Sequence, residues 1–493
     1  MKSLYTVASF VGFALVLLLI PRVILAEECS SKSDPVLYQL QDQKKFSEAE
    51  DIAKKAVDRQ PDVLQAHIDL AAVYIRWATK EVVEINEAAL GLKPGESGTV
   101  QLTPELIEKG FKSKLVFDPA LEQKAEKELQ NIIAKWPEQS QSYYCLMELQ
   151  QKAGKHSEFL KTLGLTASRF QKDNDKTIDE LLRVIYYYVK EEGRLDLAAE
   201  GYETALKTFP TSAKFLSSYG ATQSRLGFVR NGQSYFLKAY KVDSSDPIIV
   251  RNLVEVSALV KDFSAAEKFA SQELKLEPNN TACYFDLAMI KMATNPKSSI
   301  AAWDRYLAAH AKNPDNEIWA KAGKQIRDRV EVGMNNEDIF YLAQQMISAK
   351  AYKYAVPLLT YLQKQDENEA AYSFIMAHAY DNGGYYDLAW EELINTDRIL
   401  QKNKSQFDID PIHIYFNLGR VGCAIHRDKE SLRYLKIVEQ KNSSYPNLQY
   451  MLGKVTYNNG DKIASKKYFS DCLKLDNNKT YAHYCQMNLD NLH

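Results

Sequence analysis

A step of 34 residues constrains this chain more than any other feature of it. In "GRLDLAAEGYETALKTFP" a small residue, Ala198, is followed by Tyr202 four on, Ala205 seven on and the helix-ending Pro210 twelve on. The same set returns at Ala49, Ala53, Ala56 and Pro61, and again at Ala125, Leu129, Ile132 and Pro137. It recurs at Gly232, Phe236, Ala239 and Ser244, and at Ser465, Phe469, Cys472 and Asn477. A further copy at Ala266, Ala270, Glu273 and Pro278 carries a glutamate where a small or apolar residue is expected. Weaker copies begin at Phe159, Ala301, Ala355, Ala389 and Ser431. From 125 to 159, 198 to 232, 232 to 266, 355 to 389 and 431 to 465 the step is 34 residues every time. A helical pattern with that period is a helix–turn–helix unit that cannot bury its apolar face alone and has to stack on copies of itself. The length of 493 residues fits this, being too long for one compact core.

Upstream of the markers lie partner helices with small residues at their crossing points. Leu70, Ala71 and Tyr74 have the inward spacing, as do Leu182, Ile185, Tyr186 and Val189 ahead of Gly193. Leu216, Tyr219 and Gly220 precede Gly227, and the pairs Leu418-Gly419 and Leu452-Gly453 repeat the motif. These residues, together with the small/aromatic/small/proline set, resemble the tetratricopeptide repeat family over most of residues 30–493, in about eleven units. The resemblance implies an all-α fold: an α-solenoid, wound as a right-handed superhelix of helix–turn–helix units. Small residues such as Ala198, Ala205 and Gly220 then sit where two helices cross most closely, where a larger side chain would cost roughly 1–3 kcal/mol.

Departures from the step mark the organisation. Between 49 and 125 one unit carries a long insertion, placed at residues 78–117. It offers an accessory contact surface or a lid, because loops of that length are usually functional. Between 301 and 355 the extra residues read as one amphipathic helix at 316–334, the kind of lone helix that covers the end of an array. The expected division is therefore an N-terminal array over 27–334 and a C-terminal array over 335–493 that ends in its own covering helix. Residues 1–26 read as a targeting segment: Lys2, an apolar run from Val7 to Ile20, and a cleavage site after Ala26. Whether cleaved or retained as an anchor, it places the rest outside the cytoplasm, in a periplasmic, secreted or outward-facing state.

Composition and chemistry exclude more than they propose. The formal charge is −2 and no basic run stands out, which argues against a nucleic-acid partner. The six cysteines form no C-x-x-C motif, and the sequence does not choose their pairing; Cys472 with Cys485 is the first pair to test, since a helix–turn–helix can bring them together. The segment Gly91–Gly98 lacks the ending of a phosphate-binding loop. The eight histidines are scattered, and no catalytic, metal or cofactor set emerges, so a non-enzymatic chain is expected. Four N-x-S/T sequons lie at Asn279, Asn403, Asn442 and Asn478.

The resemblance also implies a groove lined by the first helix of each unit. The residue two before the small-packing pair points into it, giving Phe285, Phe340, Phe374, Phe416 and Tyr450, and four on come His378, Arg420 and Lys454. Aromatic side chains beside cations are what peptide-binding surfaces use. The same phenylalanines can instead tilt into the helix seam as core. The function implied is an extracytoplasmic scaffold that holds protein or peptide partners in its groove, in cell-envelope assembly, secretion or polysaccharide export. The alternative is a glycan-binding accessory, since sugar rings stack on such aromatics.

Overall fold

The computed structural model describes residues 34–85, 111–172, 174–190, 193–312, 317–402, 408–475 and 479–492. The targeting segment, Gly91–Gly98, Asn403 and Asn478 lie outside them. The chain forms two compact units, residues 1–209 and 210–493.

In the first unit the helices are α1 (Pro35–Asp42), α2 (Phe46–Arg59), α3 (Leu64–Ala78), α4 (Pro119–Lys135), α5 (Ser140–Lys152), α6 (His156–Arg169), α7 (Asn174–Lys190) and α8 (Leu195–Thr208). Between α3 and α4 runs an antiparallel ribbon of β1 (Thr79–Ile85) and β2 (Phe111–Phe117), with Thr79 opposite Phe117 and Ile85 opposite Phe111. The segments TKEVVEI and FKSKLVF carry β-branched and aromatic residues without helical spacing, and their ribbon leaves the solenoid itself all-α.

The second unit contains α9 (Ala213–Arg225), α10 (Val229–Val242), α11 (Pro247–Leu259), α12 (Phe263–Leu276), α13 (Thr281–Met292), α14 (Ile300–Lys312) and the single helix α15 (Glu317–Val332). There follow α16 (Asn336–Ser348), α17 (Tyr352–Gln365), α18 (Ala370–Asn382), α19 (Tyr386–Leu400), α20 (Pro411–Ala424), α21 (Asp428–Lys441), α22 (Leu448–Asn458), α23 (Lys462–Lys474) and α24 (Lys479–Asp490). Within each unit consecutive helices pack as antiparallel hairpins, the α-solenoid arrangement.

Every one of the eleven markers falls in the second helix of a hairpin, nine of them at its fourth residue. Ala49, Ala125, Phe159, Ala198, Ala266, Ala355, Ala389, Ser431 and Ser465 are all fully buried. The copy at Ala301 is one residue out: Ala302 and Tyr306 face the core and Ala301 is exposed. The register of α7 also shifts by one, since Leu181, Val184, Ile185 and Tyr188 are buried while Tyr186 is 53% exposed. Small residues sit where backbones meet. A Cβ added to Gly232 would lie 2.7 Å from the Gly220 carbonyl oxygen, and one added to Gly453 would lie 2.6 Å from the Phe469 ring. Glu273, the misfit, is buried in its seam and accepts hydrogen bonds from Arg251 Nε at 2.9 Å and Asn280 Nδ2 at 2.7 Å. Burial lifts its carboxyl above the ordinary glutamate value despite these donors.

Local chemistry sets the helix ends. Asp34-Pro35, Asp118-Pro119, Asp246-Pro247 and Asp410-Pro411 all start helices with the aspartate side chain accepting a backbone N–H and proline at the first position. Nine hairpins turn through one left-handed residue two positions before the second helix: Gly154, Gly193, Gly227, Gly384 and Gly460, and the non-glycines Lys44, Lys261, Lys350 and His426. A side chain at such a position is strained by roughly 1–2 kcal/mol, which the surrounding packing has to offset.

The division at 334/335 expected from spacing is not where the compact units part. They part between Phe209 and Pro210, because the chain after α15 turns back and packs on hairpins that precede it: α17 against α11 and α13, and α19 against α10. At the far end α24 packs on α23, and Cys472 and Cys485 are disulfide-bonded, while Cys145 is also oxidised and Cys283 and Cys423 are free thiols.

Candidate interaction site

Two sets of first helices in the second unit can offer a ladder of side chains: α9, α11 and α13 before the chain turns back, and α16, α18, α20 and α22 after it. Of the earlier set, α11 and α13 are covered by the chain itself. Tyr354 of α17 donates its hydroxyl to Asp286 Oδ1 at 2.7 Å, and the Lys353 ammonium lies 3.5 Å from Asp286 and 3.7 Å from Glu255. Burial opposes the Lys353 charge, yet the two carboxylates outweigh it and hold its pKa above the usual lysine value. Phe285 is 3% exposed under Tyr354, Trp303, Tyr306 and Trp319, whose ring centres lie 5.0, 5.1, 5.2 and 5.2 Å away. Between Glu255, Asp286, Met289, Lys353, Tyr354 and Pro357 the cavity has a volume of only about 20 Å³, room for about one water. The hairpin turns are tied down as well. Tyr380 donates to the Leu259 carbonyl at 2.5 Å, Arg230 grips Glu391 through two nitrogens at 2.7 and 2.6 Å, and Lys261 pairs with Glu392. Phe285 is thus corrected from groove residue to core residue, because the returning α17 fills the place a ligand would take.

The later set keeps its ladder partly open. Phe340 and Phe374 are half-buried, Phe340 against Tyr372 at 5.6 Å and Phe374 edge-on to His378 at 4.6 Å. Phe416, 8% exposed, has gone into the seam beneath Tyr445, centre to centre 4.7 Å, so it too is mainly core. Tyr450 is half-buried under Tyr481 of α24 at 5.0 Å. Arg420, half-buried, pairs with Asp381 through one terminal nitrogen, and Lys454 is exposed with no ion pair among the described residues. His378 sits between these groups. Burial first, then Arg420 and His413, push its pKa below the ordinary histidine value, while Asp381 pulls the other way.

Sequence reasoning missed Asp381, His413 and Tyr457. His413 Nδ1 is 2.6 Å from the Tyr445 hydroxyl, and Tyr457 is 48% exposed. Asp381 and Tyr457 stand seven residues after Phe374 and Tyr450, two turns along the same helix face, so the ladder positions themselves were the signal. Among the described residues no three metal-ligating side chains come together. The Cys423 thiol, buried beside this face, is pushed up to about 11 and is a poor nucleophile at neutral pH.

The 34-residue step, the buried markers and the close backbone crossings all coincide with one hairpin per repeat. This is an α-solenoid of helical hairpins. No family model matches the chain, and no curated protein does. Among solved structures it is similar to a tetratricopeptide repeat protein from Parabacteroides merdae, at 14% identity and TM-score 0.28 over 56% of this chain and 98% of that one. It is also similar to the Cut9–Hcn1 hetero-tetramer of the APC/C, at 11% identity and TM-score 0.28 over 92% of this chain and 95% of that one. The P58(IPK) TPR domain matches at 12% identity and TM-score 0.24, over 86% of this chain and 96% of that one. The tetratricopeptide-repeat reading rests on the chain's own periodicity and packing.

Proposed function

We propose that the protein is an extracytoplasmic tetratricopeptide-repeat scaffold that holds segments of partner proteins on the ladder face of α16, α18, α20 and α22. The supporting observation is the contrast between first helices: Lys353 and Tyr354 cover α11 and α13, and Phe340, Phe374, His378, Arg420, Tyr450 and Lys454 remain reachable on the later set. The extracytoplasmic placement is supported by the apolar run behind Lys2 and by the Cys472–Cys485 disulfide, a bond that persists where thiols are not kept reduced. Within the envelope, a role in assembling or guiding other proteins fits such a face better than catalysis.

Selection from a displayed random-peptide library on residues 27–493, followed by hydrogen exchange with a selected peptide, tests this reading. The expected result is enrichment of peptides that protect amides of α18 and α20 and lose binding in Phe374→Ala. Enrichment of nothing, or protection confined to α11 and α13, would overturn it.

A further inference from the structure

An open groove runs between the second helices α12 and α14, over the start of α13 and beside the turn at Pro278 and Asn279. Its volume of about 480 Å³ lies within the range of small-molecule sites. Leu274, Leu287, Ala308 and Ala309 supply an apolar wall. Tyr284 lines it with its ring, the hydroxyl donating to the Pro278 carbonyl at 3.3 Å, and Ser271 and Asn279 add neutral polar groups. The charges on its rim are all of one sign. Arg305 and Lys312 are exposed, neither has an ion pair among the described residues, and no carboxylate among those residues lines the groove.

A second copy of the groove shows which of these features come with the repeat. Ser271, Pro278 and Tyr284 stand five, twelve and eighteen residues after the marker Ala266. Lys436, Ser443 and Gln449 stand at the same offsets from Ser431, and they line a groove of about 510 Å³ between α21 and α23. Shape therefore recurs with the hairpins. Charge does not. In the later groove Glu439 lies 2.9 Å from Lys436 and Asp471 lies 2.9 Å from Lys474, so two of its three lysines are neutralised from within. The groove at Arg305 and Lys312 leaves both of its cations for an anion from outside.

We infer that the groove between α12 and α14 binds a short acidic saccharide, with one carboxylate on Arg305, another on Lys312 and a ring face against Tyr284. Arg305 and Lys312 are seven residues apart on one helix, about 10.5 Å along its axis. That spacing suits two carboxylates carried on a stiff body. A run of pyranose rings has this build: apolar C–H faces for Tyr284, Ala308 and Ala309, hydroxyls on the edges for Ser271 and Asn279, and carboxylates at fixed intervals. The guanidinium of Arg305 offers a planar fork to the first carboxylate, and Lys312 a point charge to the second. The groove belongs to second helices and the ladder to first helices, so this inference is independent of the scaffold reading and either can fail alone.

The probe is trigalacturonate, titrated by calorimetry into full-length protein at neutral pH, with its fully methyl-esterified form and the peptide triglutamate as companions. Trigalacturonate is expected to bind roughly tenfold more tightly than the ester, and more weakly as salt rises. Arg305→Gln and Lys312→Gln should each lose roughly five- to tenfold. Both side chains are exposed and without ion pairs among the described residues, so these substitutions leave the fold intact. Ala308→Trp fills the groove without altering charge and should abolish binding, while Lys467→Gln, in the later groove, should change nothing. Equal binding of the ester would overturn the carboxylate contacts, and equal binding of triglutamate would overturn the sugar. A loss in Lys467→Gln as large as in Arg305→Gln would reduce the effect to diffuse charge and overturn the site, as would failure of trigalacturonate to bind at millimolar concentration.

Discussion

Tyr354→Phe isolates one hydrogen bond of the seal that covers α11 and α13. The ring keeps its contacts with Phe285 at 5.0 Å and Trp319 at 5.7 Å; only the hydroxyl donated to Asp286 at 2.7 Å is lost. Hydrogen bonds to charged groups contribute about 1.5–3 kcal/mol. Asp286 keeps the Lys353 ammonium at 3.5 Å and its side chain is 17% exposed, so the lower end applies, about 1.5–2 kcal/mol. That corresponds to roughly ten- to thirtyfold in the opening equilibrium of the contact. Native-state hydrogen exchange should show amides of α13 and α17 speeding up together by about that factor, with α22 and α23 unchanged. A double-mutant cycle with Asp286→Asn should return a coupling of about 1 kcal/mol or more. Exchange that quickens in α17 alone, or a coupling below about 0.3 kcal/mol, would refute the view that this bond holds the two segments together.

Further expectations follow from the packing. Gly232→Ala places a Cβ 2.7 Å from the Gly220 carbonyl, so despite its better helix propensity it should lower stability by about 1–2 kcal/mol in thermal melts, whereas Gly220→Ala, whose nearest neighbour would be at 3.1 Å, should be close to neutral. Lys350→Gly relieves a left-handed backbone (φ 58°) at an exposed turn and should raise stability by about 1 kcal/mol, measured by denaturant midpoint. The Cys472→Ala/Cys485→Ala pair opens a loop with a sequence separation of 13, and α24 should lose about 2–3 kcal/mol of local stability, seen as rapid proteolysis of the C-terminal helix.

The hairpins were legible in the sequence because their packing is periodic: Ala198, Ala205 and Gly220 repeat at fixed offsets, and each offset is a helix crossing. Cys472 and Cys485 were legible as a pair to test for the same local reason. The seal was not. Lys353 and Asp286 are ordinary charges in sequence, 67 residues apart, and nothing periodic links Arg230 to Glu391 across a separation of 161. The fate of the aromatic ladder was equally hidden. Phe285, Phe374 and Phe416 hold the same repeat position, and only the neighbours decide which ring is covered: Tyr354 over the first, Tyr445 over the third, and an imidazole edge beside the second.

The return of α17 and α19 onto α10, α11 and α13 also limits how this protein can change length. In an ordinary solenoid a repeat can be duplicated or deleted and the rest merely shifts, since each unit touches only its neighbours. Here a 34-residue gain or loss between Arg230 and Glu391 would carry every clasping residue out of alignment with its counterpart. Repeat number in this stretch is therefore fixed by the clasp, and the ends of the chain are where the array is free to grow or shrink.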